Sequence, residues 1–321
     1  MRVQFSKKII LNKIHNQRVL LTRYQRSTGK NIQENIQAIK IHENKISHCT
    51  NIEQIMGYEG NAARQYFAAL SKMIKEDFKN PILASVAATF PMALMLLSTY
   101  IKPFIGVGAK YIWYFAIGLH IILIVYFTIK FLLKLQMPKV FASYFIVYVG
   151  IAVAAVTAPA FEELAIGAGA FWFGFLTLIG LLVLVTIRYM KYKEIPEPAK
   201  PLFCIYAAPT SLCVAGYVQS VTPKSREFLL AMLLVATMLY VLALVKAISY
   251  LKLKFYPSYA AFTFPFVISA IATKQTMVCL ANMKQPIPML RYVVLIETVI
   301  AVLFMIYTFI RFLQFIFVDH K

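Results

Sequence analysis

Eight apolar stretches of roughly 17 to 28 residues fill the chain from Pro81 to Val318, each long enough to cross the ~30 Å hydrocarbon core of a bilayer as a helix. They lie at about 81–100, 111–133, 141–159, 169–190, 201–220, 227–250, 258–274 and 291–318. No such stretch precedes Pro81. The first 80 residues are polar and basic, with 14 Lys/Arg against 6 Asp/Glu. The expected fold is an all-α integral membrane protein of eight transmembrane helices with a small, soluble, helical N-terminal segment.

Charge agrees with that division. Only 14% of the 321 residues are charged, against ~25% in a soluble globular domain. The net charge of +20 is spread over the N-terminal segment and short loops. Basic loops beside anionic headgroups account for the loop share without nucleic acid. The basic N-terminal segment suits either lipid or nucleic acid. The start, MRVQFSKKIILNKIHNQR, has no apolar core or small-residue cleavage site, so no cleavable signal peptide is expected. The loops at 130–140, 188–200 and 246–257 hold three, four and three Lys/Arg; the alternate loops hold two, none, two and three. That bias predicts a cell-membrane protein with both termini in the cytoplasm. Cys49, Cys204, Cys213 and Cys279 lack metal-type spacing and read as small apolar fillers.

In the first 80 residues, breaks are expected at Ser27-Thr28-Gly29 and around Ser47–Asn51. Ile36, Ile39 and Ile46 have rough helical spacing, as do Ile52, Ile55 and Met56. A helix from about Asn61 to Met73 is expected to turn Ala63, Tyr66, Phe67 and Leu70 to one side.

A repeat runs through the odd spans. Each carries a proline among small residues: AATFPMAL around Pro91, AVTAPAF around Pro159, YAAPTSLC around Pro209 and AFTFPFVISA around Pro265. Proline removes a helix hydrogen bond and bends the rod, which a membrane tolerates where the freed carbonyls face protein or water. The expected layout is four hairpins, with bent odd spans lining a path and smooth even spans facing lipid. The plainer alternative is that these prolines report kinks alone.

At these residues the chain resembles the tellurite-resistance/C4-dicarboxylate transporter family, which is related to the slow-type plant anion channels. The similar stretches are FKNPILASVAATFPMALMLLSTY, VFASYFIVYVGIAVAAVTAPAF, PLFCIYAAPTSLCVAGYVQS and FYPSYAAFTFPFVISAIA, and the likeness runs from about Glu76 to the end. It implies a pseudo-symmetric ring of hairpins around a central pore, often assembled as a homotrimer. It also implies passage of small anions, carboxylates included, and a phenylalanine that plugs the pore. On the AFTFP motif that phenylalanine is Phe264; Phe90, beside Pro91, has a similar setting. The family has ten spans. The eight here resemble its third to tenth, and its first hairpin is absent.

The residues before about Lys75 resemble a different family. HNQRVLLTRY followed by IMGYEGNAARQYF is similar to the integrase/nuclease subunit of CRISPR adaptation. That likeness implies a metal-ligand role for Glu59, but the family's other ligands have no match in the remainder. One carboxylate does not make a divalent-metal site. Residues 1–75 thus read as a basic cytoplasmic segment joined to an anion-channel-like domain at 76–321.

An anion pore with an uncharged lining releases its ion readily. The odd spans have that character, with no charged residue in 81–100, 141–159, 201–220 or 258–273. Hydroxyls at Thr89, Thr157, Thr210 and Thr263 are candidate pore groups, along with Ser85, Ser143, Ser211 and Ser269. Their alternative is to bond their own helix carbonyls. Phe264 is either a gate or interhelical packing. His120 suits an interhelical hydrogen bond or proton coupling. Glu297 is expected to pair with Arg291 or Lys284, Arg188 and Lys246 to snorkel to the cytoplasmic edge, and Glu162 and Glu163 to form a solvated loop.

No phosphate loop, nucleophile elbow or HExxH occurs. No enzyme activity and no cofactor are expected, and any transport would be passive or gradient-driven. The expected partners are a small anion and the lipid bilayer; nucleic acid is not expected. The rival readings are a tethered nucleic-acid-binding fragment without transport, and an inactive fusion whose ring cannot close.

Overall fold

The computed structural model describes residues 2–317; the last residue of the expected span 291–318, and Lys321, lie outside the described residues. Among the described residues the chain is helical throughout, without strands. It divides into two units, Met1–Asn80 and Pro81–Lys321.

The first unit is a bundle of three helices: α1 (Arg2–Thr28), α2 (Gln33–His48) and α3 (Ile52–Asp77). Gly29 ends α1 with a φ of +68°, a conformation that costs a glycine little. Asn51 caps α3 by accepting from the Gln54 amide at 2.8 Å. The core gathers Ile14, Leu21, Ile36, Ile39, Ile46, Ile55, Ala62, Ala69 and Met73. Two expectations shift here. Ile55 is buried, whereas Ile52 and Met56 are exposed. The inner face of α3 is Ala62, Ala69 and Met73, with Tyr66 and Leu70 of the expected set packed against that core and Phe67 turned away from it. Phe67 is 61% exposed. Because α3 begins nine residues earlier than expected, its phase is set from Ile55.

The second unit contains ten α-helices among the described residues: α4 (Pro81–Val86), α5 (Thr89–Ile105), α6 (Gly108–Phe127), α7 (Tyr144–Tyr148), α8 (Ala152–Thr157), α9 (Leu164–Lys191), α10 (Ala208–Ser220), α11 (Arg226–Tyr250), α12 (Phe264–Asn282) and α13 (Leu290–Phe317). Among the described residues, seven helical segments are long and apolar enough to cross a membrane. The expected span 141–159 is not among them. Its backbone runs α7, a turn at 149–151, α8 and a 3-10 turn at Ala158–Phe161. Bonds to the residue three back, such as Ala152 N to Val149 O (2.9 Å) and Val153 N to Gly150 O (3.0 Å), keep it paired through the turn.

Burial separates two sets of segments. In the most apolar window, 89% of Glu197–Ser220 and 56% of Pro257–Asn282 are buried, against 17% of Gly108–Leu132 and 22% of Leu290–Phe317. Pro81–Ile105 is intermediate at 39%. Nearly every residue from 140 to 158 is buried. The inner elements pack in sequence, α5 on α8, α8 on α10 and α10 on α12. The outer elements α6, α9, α11 and α13 each pack on an inner neighbour and turn Leu, Ile, Val and Phe outward. In a bilayer such a face needs no protein partner, because lipid tails are as apolar as leucine.

Candidate functional site

The inner segments share a local construction set by proline and glycine. Before Pro91 the chain bonds three residues back, with Phe90 N to Ala87 O at 3.1 Å, and then enters α5. Glu197–Ala207 is an eleven-residue 3-10 helix that becomes α10 at Ala208-Pro209. Pro257–Phe262 is likewise 3-10 and becomes α12 at Phe264-Pro265. Runs of 3-10 helix this long are uncommon. Pro91, Pro209 and Pro265 are buried and sit in the first turn of their α-helices, where a missing N–H costs nothing. They start helices rather than bend them in mid-course.

Pro159 is placed differently. It lies in the closing 3-10 turn and is exposed. The corresponding break in that segment falls at Gly150. A Cβ there would lie 2.6 Å from Met92 Sδ and 3.0 Å from His120 Cε1, so the close approach of α5 and α6 requires glycine.

Most of the candidate hydroxyls bond nearby helix carbonyls. Thr89 donates to Val86 O and Thr263 to Ala260 O, both at 2.7 Å, so the two Thr-Phe-Pro sequences are alike in geometry as well as in letters. Thr157 donates to Val153 O at 2.8 Å and accepts from Trp113 Nε1 at 2.7 Å. Ser85 donates to Ile82 O. Thr210 Oγ1 and Ser143 Oγ are buried without a hydrogen-bond partner. Phe264 is half-buried at the head of α12, and Phe90 is 60% exposed.

The other candidates resolve one by one. His120 is buried, with Nε2 2.9 Å from Val147 O, an interhelical hydrogen bond. Glu297 is buried against Thr273 of α12 and forms no ion pair with Arg291 or Lys284 among the described residues. The Arg291 guanidinium covers the Tyr292 ring instead. Arg188 does not snorkel. It is 1% exposed, lies over the Phe141 and Tyr189 rings, and donates to Tyr192 O and Pro138 O. Lys246 is exposed. Glu163 is tied down by Lys110 at 2.6 Å and by the Tyr114 hydroxyl, so that loop is pinned rather than merely solvated. Its carboxyl is held below the usual range, first by the Lys110 ammonium and then by Tyr114. All four cysteines are free and buried.

Glu59 does not fit a metal site. Its carboxylate is engaged by Lys13, and no group of three or more His, Cys, Asp or Glu is positioned to hold a metal among the described residues.

One feature was missed by sequence reasoning. Helix α12 continues to Asn282, so Lys274 and Gln275 belong to an inner span and not to the following loop. With Gln219 of α10 and Lys224 beyond it they line a cleft of about 630 Å³, walled by Val218, Ile271, Val278 and Cys279. Pro286, four residues past Asn282, is the sequence signal, since a proline commonly follows shortly after a helix stop.

Residues 65–313 match the sequence model of the voltage-dependent anion channel family. The chain belongs to that family. Residues 1–81 match a second family, CRISPR associated protein Cas1. The CRISPR-associated endonucleases Cas1 of two Mycobacterium tuberculosis strains, CDC 1551 / Oshkosh and ATCC 25618 / H37Rv, are each 30% identical to it over 76 residues. That match covers 24% of this chain and 22% of each relative, so the chain spans about a fifth of the length of the curated relatives it matches. Two families thus meet in one anion-channel-family chain, overlapping at residues 65–81.

Proposed function

We propose that residues 76–321 carry small anions, C4-dicarboxylates or small inorganic anions, across a cell membrane along a path lined by the inner segments. The observation that carries this reading is the pairing of broken, buried inner segments that lack acidic side chains below their ends with straight outer helices that expose apolar faces. Helical breaks at membrane depth are tolerated where they line a cavity or lie within protein. The segment 141–161 is the eighth crossing: its 21 residues, helical at 1.5–2.0 Å per residue, reach about 30–40 Å. Four hairpins then form the body, and both termini are cytoplasmic. Phe264 is the gate and Phe90 its counterpart at the first break. Pro91, Pro209 and Pro265 start the lining helices, Pro159 closes the remaining inner segment, and Thr210 offers an unspent hydroxyl. The partners are the anion, the bilayer and two further copies in a homotrimer. Residues 1–75 form a separate cytoplasmic segment.

A second reading rests on the first inner segment. Phe90, Leu97 and Phe104 form an exposed line on α5, within a segment, Pro81–Ile105, that is only 39% buried in its most apolar window. An arc of four hairpins with an open edge would be an inactive fusion. Liposome flux separates the two. The purified chain should carry succinate or chloride, and Phe264→Ala should raise the rate severalfold. No flux from either protein favours the inactive fusion; equal, measurable flux from both removes the gate.

A further inference from the structure

We propose that the cleft between α10 and α12 is an anion-binding site, in which Lys224, Lys274 and the Gln275 amide hold a small carboxylate or inorganic anion. The proposal rests on the anion-transport reading and adds the groups that capture the ion. The volume, about 630 Å³, lies within the range of small-molecule pockets.

Its chemistry is one-sided. Two ammonium groups and the amides of Gln219, Gln275 and Asn282 line it, and no carboxylate does. Neither lysine forms an ion pair among the described residues. The Gln275 side-chain oxygen is buried without a hydrogen-bond partner. The amide carries two donors on its other atom, which an anion in the cleft would accept.

Lys274 is an exposed cation within an inner span. It stands eight residues before the end of α12, about 12 Å along the axis, inside the span Pro257–Asn282. An ammonium at membrane depth is costly and is kept where it serves a path or a ligand. A bound anion would neutralise it.

The cleft is aligned with the proposed gate. Phe264, Ile271, Gln275, Val278 and Asn282 follow at intervals of seven, four, three and four residues, the spacing of one helix face. An anion at Gln275 would sit eleven residues from Phe264 on that face, about 16 Å along the axis. Capture and gating would then be successive stations on one helix.

The test is equilibrium dialysis of the purified full chain in detergent with radiolabelled succinate and, separately, radiolabelled chloride. The wild type should bind at least one. K274Q and K224Q should each weaken binding about tenfold or more, the scale of one charge-assisted hydrogen bond. K274R should retain it, and K252Q, an exposed lysine outside the cleft, should match the wild type. Preference for succinate or chloride then assigns the anion class. Unchanged affinity in K274Q and K224Q overturns the proposal, as does a wild type that binds neither anion. K274R keeps the result interpretable if K274Q fails to fold. Binding lost in the variants while wild-type liposomes carry no flux leaves the site standing and removes the transport reading. Flux with unaltered binding removes the site alone.

Discussion

The hydroxyls of Ser211 and Ser269 lie 3.0 Å apart across the α10–α12 contact, and both are within hydrogen-bond reach of Ala207 O, at 2.9 and 3.2 Å. Ala207 is the last residue of the 3-10 stretch, so its carbonyl falls where the helix type changes. The serine pair clips two inner helices at that junction. Each Ser→Ala change should cost about 1 kcal/mol in thermal stability, with the double variant clearly non-additive because one acceptor is shared. Additive losses would mean that the two hydroxyls act separately.

Close packing of α9 on α10 gives a second expectation. A Cβ on Gly167 would lie 2.2 Å from Ser220 Oγ and 2.6 Å from Ala158 Cβ. Ser220 cannot simply swing away, since its hydroxyl donates to Ala155 O at 2.5 Å. Gly167→Ala should destabilise the membrane body by about 1–3 kcal/mol, read as a lower melting temperature in detergent. A melting temperature equal to the wild type's would show that the helices separate freely here.

Acid should loosen the 160–163 loop. The Lys110 ammonium keeps the Glu163 carboxyl below its ordinary value of 4.5. A depressed carboxyl stabilises the fold above that ordinary value, and the contribution fades as pH falls through the lowered one. Glu163→Gln should therefore melt lower than the wild type at neutral pH, with the gap narrowing as acid carries the pH below the ordinary carboxyl value and through the lowered one. Identical curves at neutral pH would show the contact contributes nothing.

In the first unit, Asp77 at the end of α3 accepts from Tyr24 at 2.9 Å and from Lys30 at 2.7 Å. Asp77→Ala should cost about 1 kcal/mol or less, because the pair is partly solvated. Hydrogen exchange should quicken in the last turns of α1 and α3. Unchanged exchange there would remove this tie from the account.

Much of this architecture could be read from residue order. Hydropathy located the seven long membrane segments because lipid selects for length and apolarity alone. Hydropathy also marks 141–159, but it does not distinguish one continuous helix from an interrupted one. Gly150 and a run of Val and Ala allow a broken rod, which survives because protein surrounds it. Pro91, Pro209 and Pro265 stand beside breaks in the inner segments but start α-helices instead of kinking them, and Pro159 shares the letter without the position. Charge alone predicts that Arg188 snorkels to the membrane edge, yet Phe141 and Tyr189, one distant in sequence, give it a buried seat. Fading apolarity places Lys274 at a loop edge, while the backbone continues helical for two more turns. Tertiary neighbours decide such cases, and a single chain's order does not name them.

The most direct test of a water-filled path along the inner segments is cysteine accessibility. In a chain freed of Cys49, Cys204, Cys213 and Cys279, single cysteines would be placed along α12 at 264, 271, 275, 278 and 282, and along α13 at 296 and 303. A charged, water-soluble thiol reagent should modify the α12 set in reconstituted vesicles and leave the α13 pair unmodified. Modification of the α13 pair with an unreactive α12 face would contradict such a path.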